Sequence, residues 1–319
     1  MFRERSIEAA FLPSYAPLPE AAVWVAAQIL GVKSIMMNES HAGTERATGW
    51  KRWVKRRMIG RFDAALVGGA PQKRHFANLG IPEECIFTGY DAVDNELFAS
   101  EAEKARGNAQ GVRAKLCLPE RYFLSLGRMV EKKNLGVLVE SYAQFCAESE
   151  EEVALVMVGS GDEEAGLRAQ AARLGMKVHD ASDLSDIDRQ ALGQGDVVFY
   201  GFRQIDENPL FFALAEAFVL PSLWEEWGLV VNEAMACGVP LLVSRTVGCA
   251  EDLVEDNGNG FTFAPSSASE LSQRLSELAA GGELRQRFGR CSEKIIATWG
   301  CENFARNALR ALDAATGRS

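Results

Sequence analysis

The chain has 319 residues, which suggests about two domains, and no apolar run approaches the roughly 20 residues of a membrane-spanning helix. A formal net charge of −10 excludes general nucleic-acid binding. Seven cysteines (Cys85, Cys117, Cys146, Cys237, Cys249, Cys291, Cys301) match no disulfide or metal-ligand spacing, and the opening MFRERSIEAA has no signal-peptide core, so a reducing, cytoplasmic setting is expected.

Short β-rich runs alternate with helical patterns along the chain, which predicts parallel sheets with crossover helices. In the first hundred residues strands are expected at 9–12, 34–38, 64–67 and 85–88, and helices at 20–30, 50–60 and 72–79. Glu39, Ser40 and His41 follow the second of these strands. Residues 1–62 hold ten Lys/Arg against five Asp/Glu, so this end is locally basic. Its centre is GWKRWVKRRMIGRF (49–62), with Trp50, Trp53, Val54, Met58 and Phe62 at helical spacing among six basic residues. A core-facing stripe with a solvated basic face is the expectation; a peripheral helix at a membrane surface is the alternative.

Residues 99–119 are polar, rich in Ala, Glu, Lys and Gly, and form the expected linker. A second series of strands follows at 122–126, 154–158, 197–200, 217–220, 241–244 and 261–263, with helices at 134–148, 164–174, 209–214, 229–236 and 268–280. Two further helices, 283–298 and 303–315, have no strand between them. The expected organisation is therefore a first α/β domain over 1–98, a second over 120–300, and a C-terminal helix in 301–319 that packs back on the first.

Ligands of open α/β sheets bind outside the carboxyl ends of the strands. Three such turns in the second domain carry chemistry. SLGRMVEKKN (125–134) places Arg128 and, five later, Lys133 after Gly127, a pair able to embrace a diphosphate. VGSGD (158–162) resembles a dinucleotide fingerprint only loosely: four residues separate Gly161 from Gly166 where two are wanted, and three of them are acids (Asp162, Glu163, Glu164), so a glycine-shaped tight turn is expected. The stretch FVLPSLWEEWGLVVNEAMACGVPLLV (218–243) carries two carboxylates eight positions apart, Glu225 and Glu233. A cap or a solvated face explains Glu225 but not Glu233, which lies mid-helix beside Ala234, Met235 and Ala236. Gly228 opens the helix, so its first N–H groups and positive dipole end can hold an anion, while Glu225 and Glu233 accept from sugar hydroxyls. Cations for phosphate and carboxylates for hydroxyls describe a nucleotide-sugar site. Asp186-Ile187-Asp188 forms a D-x-D, but a solvated loop is expected there.

On these residues the second domain resembles the retaining GT-B glycosyltransferases of family 4, the glycosyl transferases group 1 family. LGRMVEKKN is similar to the family's G-R-x4-K donor loop, and VMVGSGDEEAGL and VVFYGF to the two strand ends that follow. PSLWEEWGLVVNEAMACGVPLLVS is similar to its E-x7-E signature, with Trp227 where Phe is commoner, and VGCAEDLVEDNGNGFTF to its closing segment. The resemblance implies a GT-B fold, two Rossmann-like domains facing across a cleft, and sugar transfer with retention, without a metal or other cofactor. It implies that Arg128 and Lys133 contact the donor diphosphate, Glu233 the ribose and Glu225 the transferred sugar. It further implies that amides of Gly228, Leu229 and Val230 take phosphate oxygens and that the loop of Tyr200, Gly201 and Phe202 borders the base.

The first half resembles the acceptor domain in FLPSYAPLPEAAVWVAAQILG, VKSIMMNES and TGYDAVDNELF. This half is expected to be incomplete, short of ~70 residues on a typical domain size, with a partner as one way to cover the exposed sheet. Glu39 and His41 are the acceptor-side candidates. The acceptor is a glycan, a lipid or a small molecule. A non-catalytic nucleotide-sugar-binding protein, a partner or remnant of such an enzyme, is the rival reading.

Overall fold

The computed structural model describes residues 7–14, 18–184 and 190–318, so the D-x-D at 186–188 lies outside the described residues. The chain divides into two compact units, 1–93 with 299–319, and 94–298.

The first unit holds a parallel sheet of β1 (Ala9–Leu12), β2 (Lys33–Asn38), β3 (Ala64–Val67) and β4 (Ile86–Thr88), in the order β1-β2-β3-β4. β3 reads AALV and is buried along its whole length, as a strand covered on both faces should be. One face packs Trp24, Met36, Phe62 and Phe76. The other takes Ala311 and Ala315 of the C-terminal helix Cys301–Thr316 against Ile35 and Ala64. Small residues there let helix and sheet approach closely. Asn307 on that helix donates to the Thr88 carbonyl at 2.9 Å, satisfying the end of β4.

The second unit is a seven-stranded parallel sheet of β5 (Tyr122–Leu126), β6 (Ala154–Val158), β7 (Lys177–Asp180), β8 (Asp196–Phe199), β9 (Ala217–Leu220), β10 (Leu241–Ser244) and β11 (Gly260–Phe263). Its order is β11-β10-β9-β5-β6-β8-β7. The chain builds outward from β5 through β6 on one side, then returns to place β9, β10 and β11 on the other. The switch point lies between β5 and β9, which pair through Phe123 with Ala217 and Leu124 with Phe218. β7 is the strand that composition hides: it lies at the sheet's edge with KVHD half-exposed, so it carries no apolar run.

The expected linker is not one. Residues 99–116 run through two helices, Asn95–Gly107 and Ala109–Leu116, and the whole of 99–119 belongs to the second unit. Phe98, Ala102 and Ala105 recur at helical spacing and are buried. Arg106 donates to the Ala213 and Cys237 carbonyls, which ties the helix to its own unit. No helix of the described residues is long and apolar enough to cross a membrane.

Candidate functional site

Strand order sets the site. β5 and β9 are neighbours at the switch point, so the loops leaving their carboxyl ends emerge side by side, where ligands of open α/β sheets bind. The Leu223 amide donates to the Lys132 carbonyl at 2.8 Å, which joins the two loops directly.

The β5 loop is built on glycine contacts. Gly127 has φ 145°, and its amide donates to the Val158 carbonyl. A Cβ on Gly159 would sit 1.9 Å from the Gly127 carbonyl oxygen, and one on Gly161 would sit 2.2 Å from that of Met129. The VGSGD turn is therefore the glycine-shaped support of the neighbouring loop. Asn134, at φ 54°, ends the β5 loop and donates to the Pro221 and Pro265 carbonyls at 3.1 and 2.7 Å. Arg128 is exposed and has no ion-pair partner among the described residues.

Lys133 points toward the β9 loop. Its Nζ lies 2.5 Å from Glu225 Oε1, while Lys132 Nζ lies 3.1 Å from Glu225 Oε2 and 3.3 Å from Glu226. Ser222 Oγ donates to Glu225 Oε1 at 3.0 Å. Burial pushes the Glu225 carboxyl upward, but Lys133 and then Lys132 outweigh it and hold the group below the usual range. Lys132 was not singled out in the sequence; the adjacent second lysine of EKK was its one visible signal. The Glu225 backbone is pinned as well, bridging Val247 and accepting from the Gly248 amide.

Trp227 is fully enclosed, with its indole Nε1 donating to Asn232 Oδ1 at 2.9 Å. The ring thus anchors the turn against the first turn of the helix it precedes. Gly228 takes φ 105° with a Val247 methyl 3.1 Å from where a Cβ would be, so the turn needs glycine. The helix Leu229–Ala236 starts there without a side-chain cap, so its amide end and positive dipole are presented at the switch point. Glu233 is 8 % exposed and accepts from Asn208 Nδ2 at 2.9 Å. Burial raises its pKa, with the Asn208 hydrogen bond pulling the other way.

Tyr200 turns inward. Its hydroxyl donates to the Cys117 carbonyl at 2.7 Å and its ring meets Phe211 edge-on. Gly201 follows at φ 65°, and Phe202 is 68 % exposed, so Phe202 is the member of that loop free to meet a ligand.

In the first unit, His41 caps the short turn Ala42–Thr44 by accepting from the Gly43 amide, and Thr44 Oγ1 takes the His41 amide. Glu39 faces Asp91, a buried acid not singled out in the sequence. Burial, followed by the charge of Glu39 and a hydrogen bond with it, raises Asp91 well above the carboxylate range. The stripe on Gly49–Ile59 does not face the core as expected: Ile59 is buried, but Trp50 and Trp53 are exposed. The C-terminal end of the helix meets the core: Ile59 and the following Phe62 are buried there, and Met58 packs partly buried against the same cluster.

A family model described as "Glycosyl transferases group 1" matches residues 113–295, more than half of the chain. Spore coat protein SA of Bacillus subtilis is 26 % identical over 233 residues, covering 70 % of this chain and 57 % of that protein. The lipopolysaccharide core biosynthesis glycosyltransferase LpsE of Rhizobium meliloti is 28 % identical over 199 residues, covering 62 % and 50 %. The chain thus spans roughly half the length of these relatives. Among solved structures, Anabaena Alr3699/HepE in complex with UDP superposes with a TM-score of 0.76 at 20 % identity, covering 98 % of this chain and 80 % of that one. At that identity the likeness is one of fold, here the GT-B arrangement of two parallel α/β sheets.

Proposed function

The chain belongs to the glycosyl transferases group 1 family, and we propose that it moves a sugar from a nucleoside-diphosphate sugar to an acceptor hydroxyl. The observation that carries the proposal is the meeting of two loops at the β5/β9 switch point, one bearing Arg128 and Lys133, the other Glu225 and an uncapped helix N-terminus. Arg128 and Lys133 meet the charge of the departing diphosphate, and the amides of Gly228, Leu229 and Val230 take its oxygens. Glu233, buried with one side-chain partner at 2.9 Å, accepts from the ribose hydroxyls. Glu225 accepts from hydroxyls of the transferred sugar, and Gly201 and Phe202 border the base. Tyr200 supports that loop through its bond to Cys117.

Donor entry re-pairs the cations. Lys133 exchanges Glu225 for phosphate, and Lys132 keeps the Glu225 carboxylate in place. The bond from the anomeric carbon to the diphosphate breaks as the acceptor oxygen attacks from the same face, through an oxocarbenium-like transition state, and the acceptor hydroxyl's proton passes to the departing diphosphate oxygen. Configuration is retained, as in family 4, and no metal takes part. Glu39 and His41 are the residues of the first unit assigned to the acceptor side. Because the Anabaena neighbour holds UDP, a uridine nucleotide sugar is the first donor to try.

The test is release of nucleoside diphosphate from UDP- and GDP-sugars, with the anomeric configuration of the product read by NMR and EDTA present in a parallel arm. Arg128→Ala and Lys133→Ala should each slow release about 100- to 1,000-fold. Wild-type rates in both variants would sink the leaving-group assignment. Tight donor binding with no turnover on any acceptor would favour the binding-only reading.

A further inference from the structure

The helix Gly49–Ile59 presents its largest side chains to solvent. Trp50 is 73 % and Trp53 63 % exposed, and with Val54 they occupy one face at the i, i+3, i+4 spacing. Lys51, Arg52, Arg56 and Arg57 are exposed around them, with the Arg57 guanidinium 5.6 Å from the Trp53 ring. Next to this face runs a groove of about 480 Å³ lined by Trp53, Arg56, Arg57, Arg61, Leu79 and Gly80. Among the described residues, none of the guanidinium groups of Arg56, Arg57 and Arg61 has an ion-pair partner. Lys55 differs: it is held 2.7 Å from Glu45 and serves the fold.

Two exposed indoles on neighbouring turns belong to neither core cluster of this unit, and among the described residues the Lys51, Arg52, Arg56, Arg57 and Arg61 cations around them have no ion-pair partner. A chain of net charge −10 has carboxylates to spare for pairing them, yet the cluster is left open. Indoles partition to the boundary between headgroups and acyl chains, and each nearby cation adds attraction to an anionic leaflet. A second copy of this face would bring like charges together, so self-association is the poorer match. We propose that this face docks on an anionic phospholipid bilayer. Trp50 and Trp53 enter the headgroup layer, and Arg56, Arg57 and Arg61 receive lipid phosphates along the groove. The docking does not depend on the donor-site assignment.

The test is flotation of the full chain with vesicles of phosphatidylcholine alone and of equal parts phosphatidylcholine and phosphatidylglycerol. Binding to the anionic vesicles only, weakened by salt, is expected. Each cation near such a surface contributes roughly a factor of five, so Arg56→Gln/Arg57→Gln/Arg61→Gln should weaken binding about 100-fold. Trp50→Ala/Trp53→Ala should weaken it at least tenfold. All five side chains lie at the surface, and an unchanged circular dichroism melt establishes folding. The lysine triple variant Arg56→Lys/Arg57→Lys/Arg61→Lys should keep most of the binding. Equal binding to both vesicle types, no binding to either, or a dimer in solution that Trp50→Ala/Trp53→Ala converts to monomer would each overturn the proposal.

Discussion

Replacing Lys133 with Met removes the shorter of the two lysine contacts to Glu225, 2.5 Å against 3.1 Å. The pair is shielded, with side chains 14 % and 8 % exposed. Stripping one partner from a fully buried pair costs about 3–5 kcal/mol. Here Lys132 and the Ser222 hydroxyl remain on the carboxylate, so about 1–2 kcal/mol is expected at neutral pH. For a unit the size of 94–298 that lowers the melting temperature by roughly 2–8 °C. The pH dependence identifies the cause. Glu225 is depressed below its ordinary value of 4.5, because its lysines outweigh its burial. Its contribution is therefore fully present above that value and lost as pH falls through the depressed folded value. In Lys133→Met the depression shrinks, so the difference from wild type should be widest near neutrality and close in acid. Thermal melts across that range read it out. A difference that stays constant at every pH would refute the ion-pair reasoning and leave lost packing as the cause.

Gly159→Ala should cost about 2–5 kcal/mol by urea unfolding, since φ is 127° and the new methyl meets the Gly127 carbonyl at 1.9 Å; a near-neutral result would mean the two loops are not held together there. Glu233→Gln should be at least as stable as wild type above pH 5, because burial raises the Glu233 pKa and the wild-type fold loses stability as pH rises from 4.5 through that raised value. The same variant should bind UDP about 10- to 100-fold more weakly in calorimetry, the carboxylate's hydrogen bonds to ribose being lost. His75 is depressed to about 4 by burial and then by Lys55. The unfolded chain therefore takes its proton first, and stability should fall as pH drops from about 6.5 to about 4. His75→Gln should flatten that fall in a pH series of melts, and an unchanged slope would rule His75 out as its source.

The fold was legible wherever burial imposes a run of apolar residues. FLSL in β5, ALVMV in β6 and AFVL in β9 are covered on both faces, and each stood out as a strand. β7 did not, because an edge strand can be polar. The helices over 95–116 were hidden by abundant Ala, Lys and Glu around a sparse buried row of Phe98, Ala102, Ala105, Val112 and Leu116. At the candidate site, local spacing in the β5 and β9 loops singled out Arg128, Lys133, Glu225 and Glu233. Lys132, Ser222 and Asn208 escaped notice because their roles depend on which loops the sheet order brings together. Trp50 and Trp53 show the converse limit. Helical periodicity defines a stripe, but the packing of Met58, Ile59 and Phe62 decides which way it faces.

The central claim is a diphosphate site at the β5/β9 switch point, and calorimetric titration of UDP and GDP into the wild-type chain and Arg128→Ala tests it most directly. The exposed Arg128 guanidinium has no ion-pair partner among the described residues, so the substitution should leave the melt unchanged. Losing one charge-assisted contact should weaken the preferred nucleotide about tenfold or more. Equal affinity of wild type and variant, or no binding of either nucleotide to the folded wild-type chain, would contradict the account.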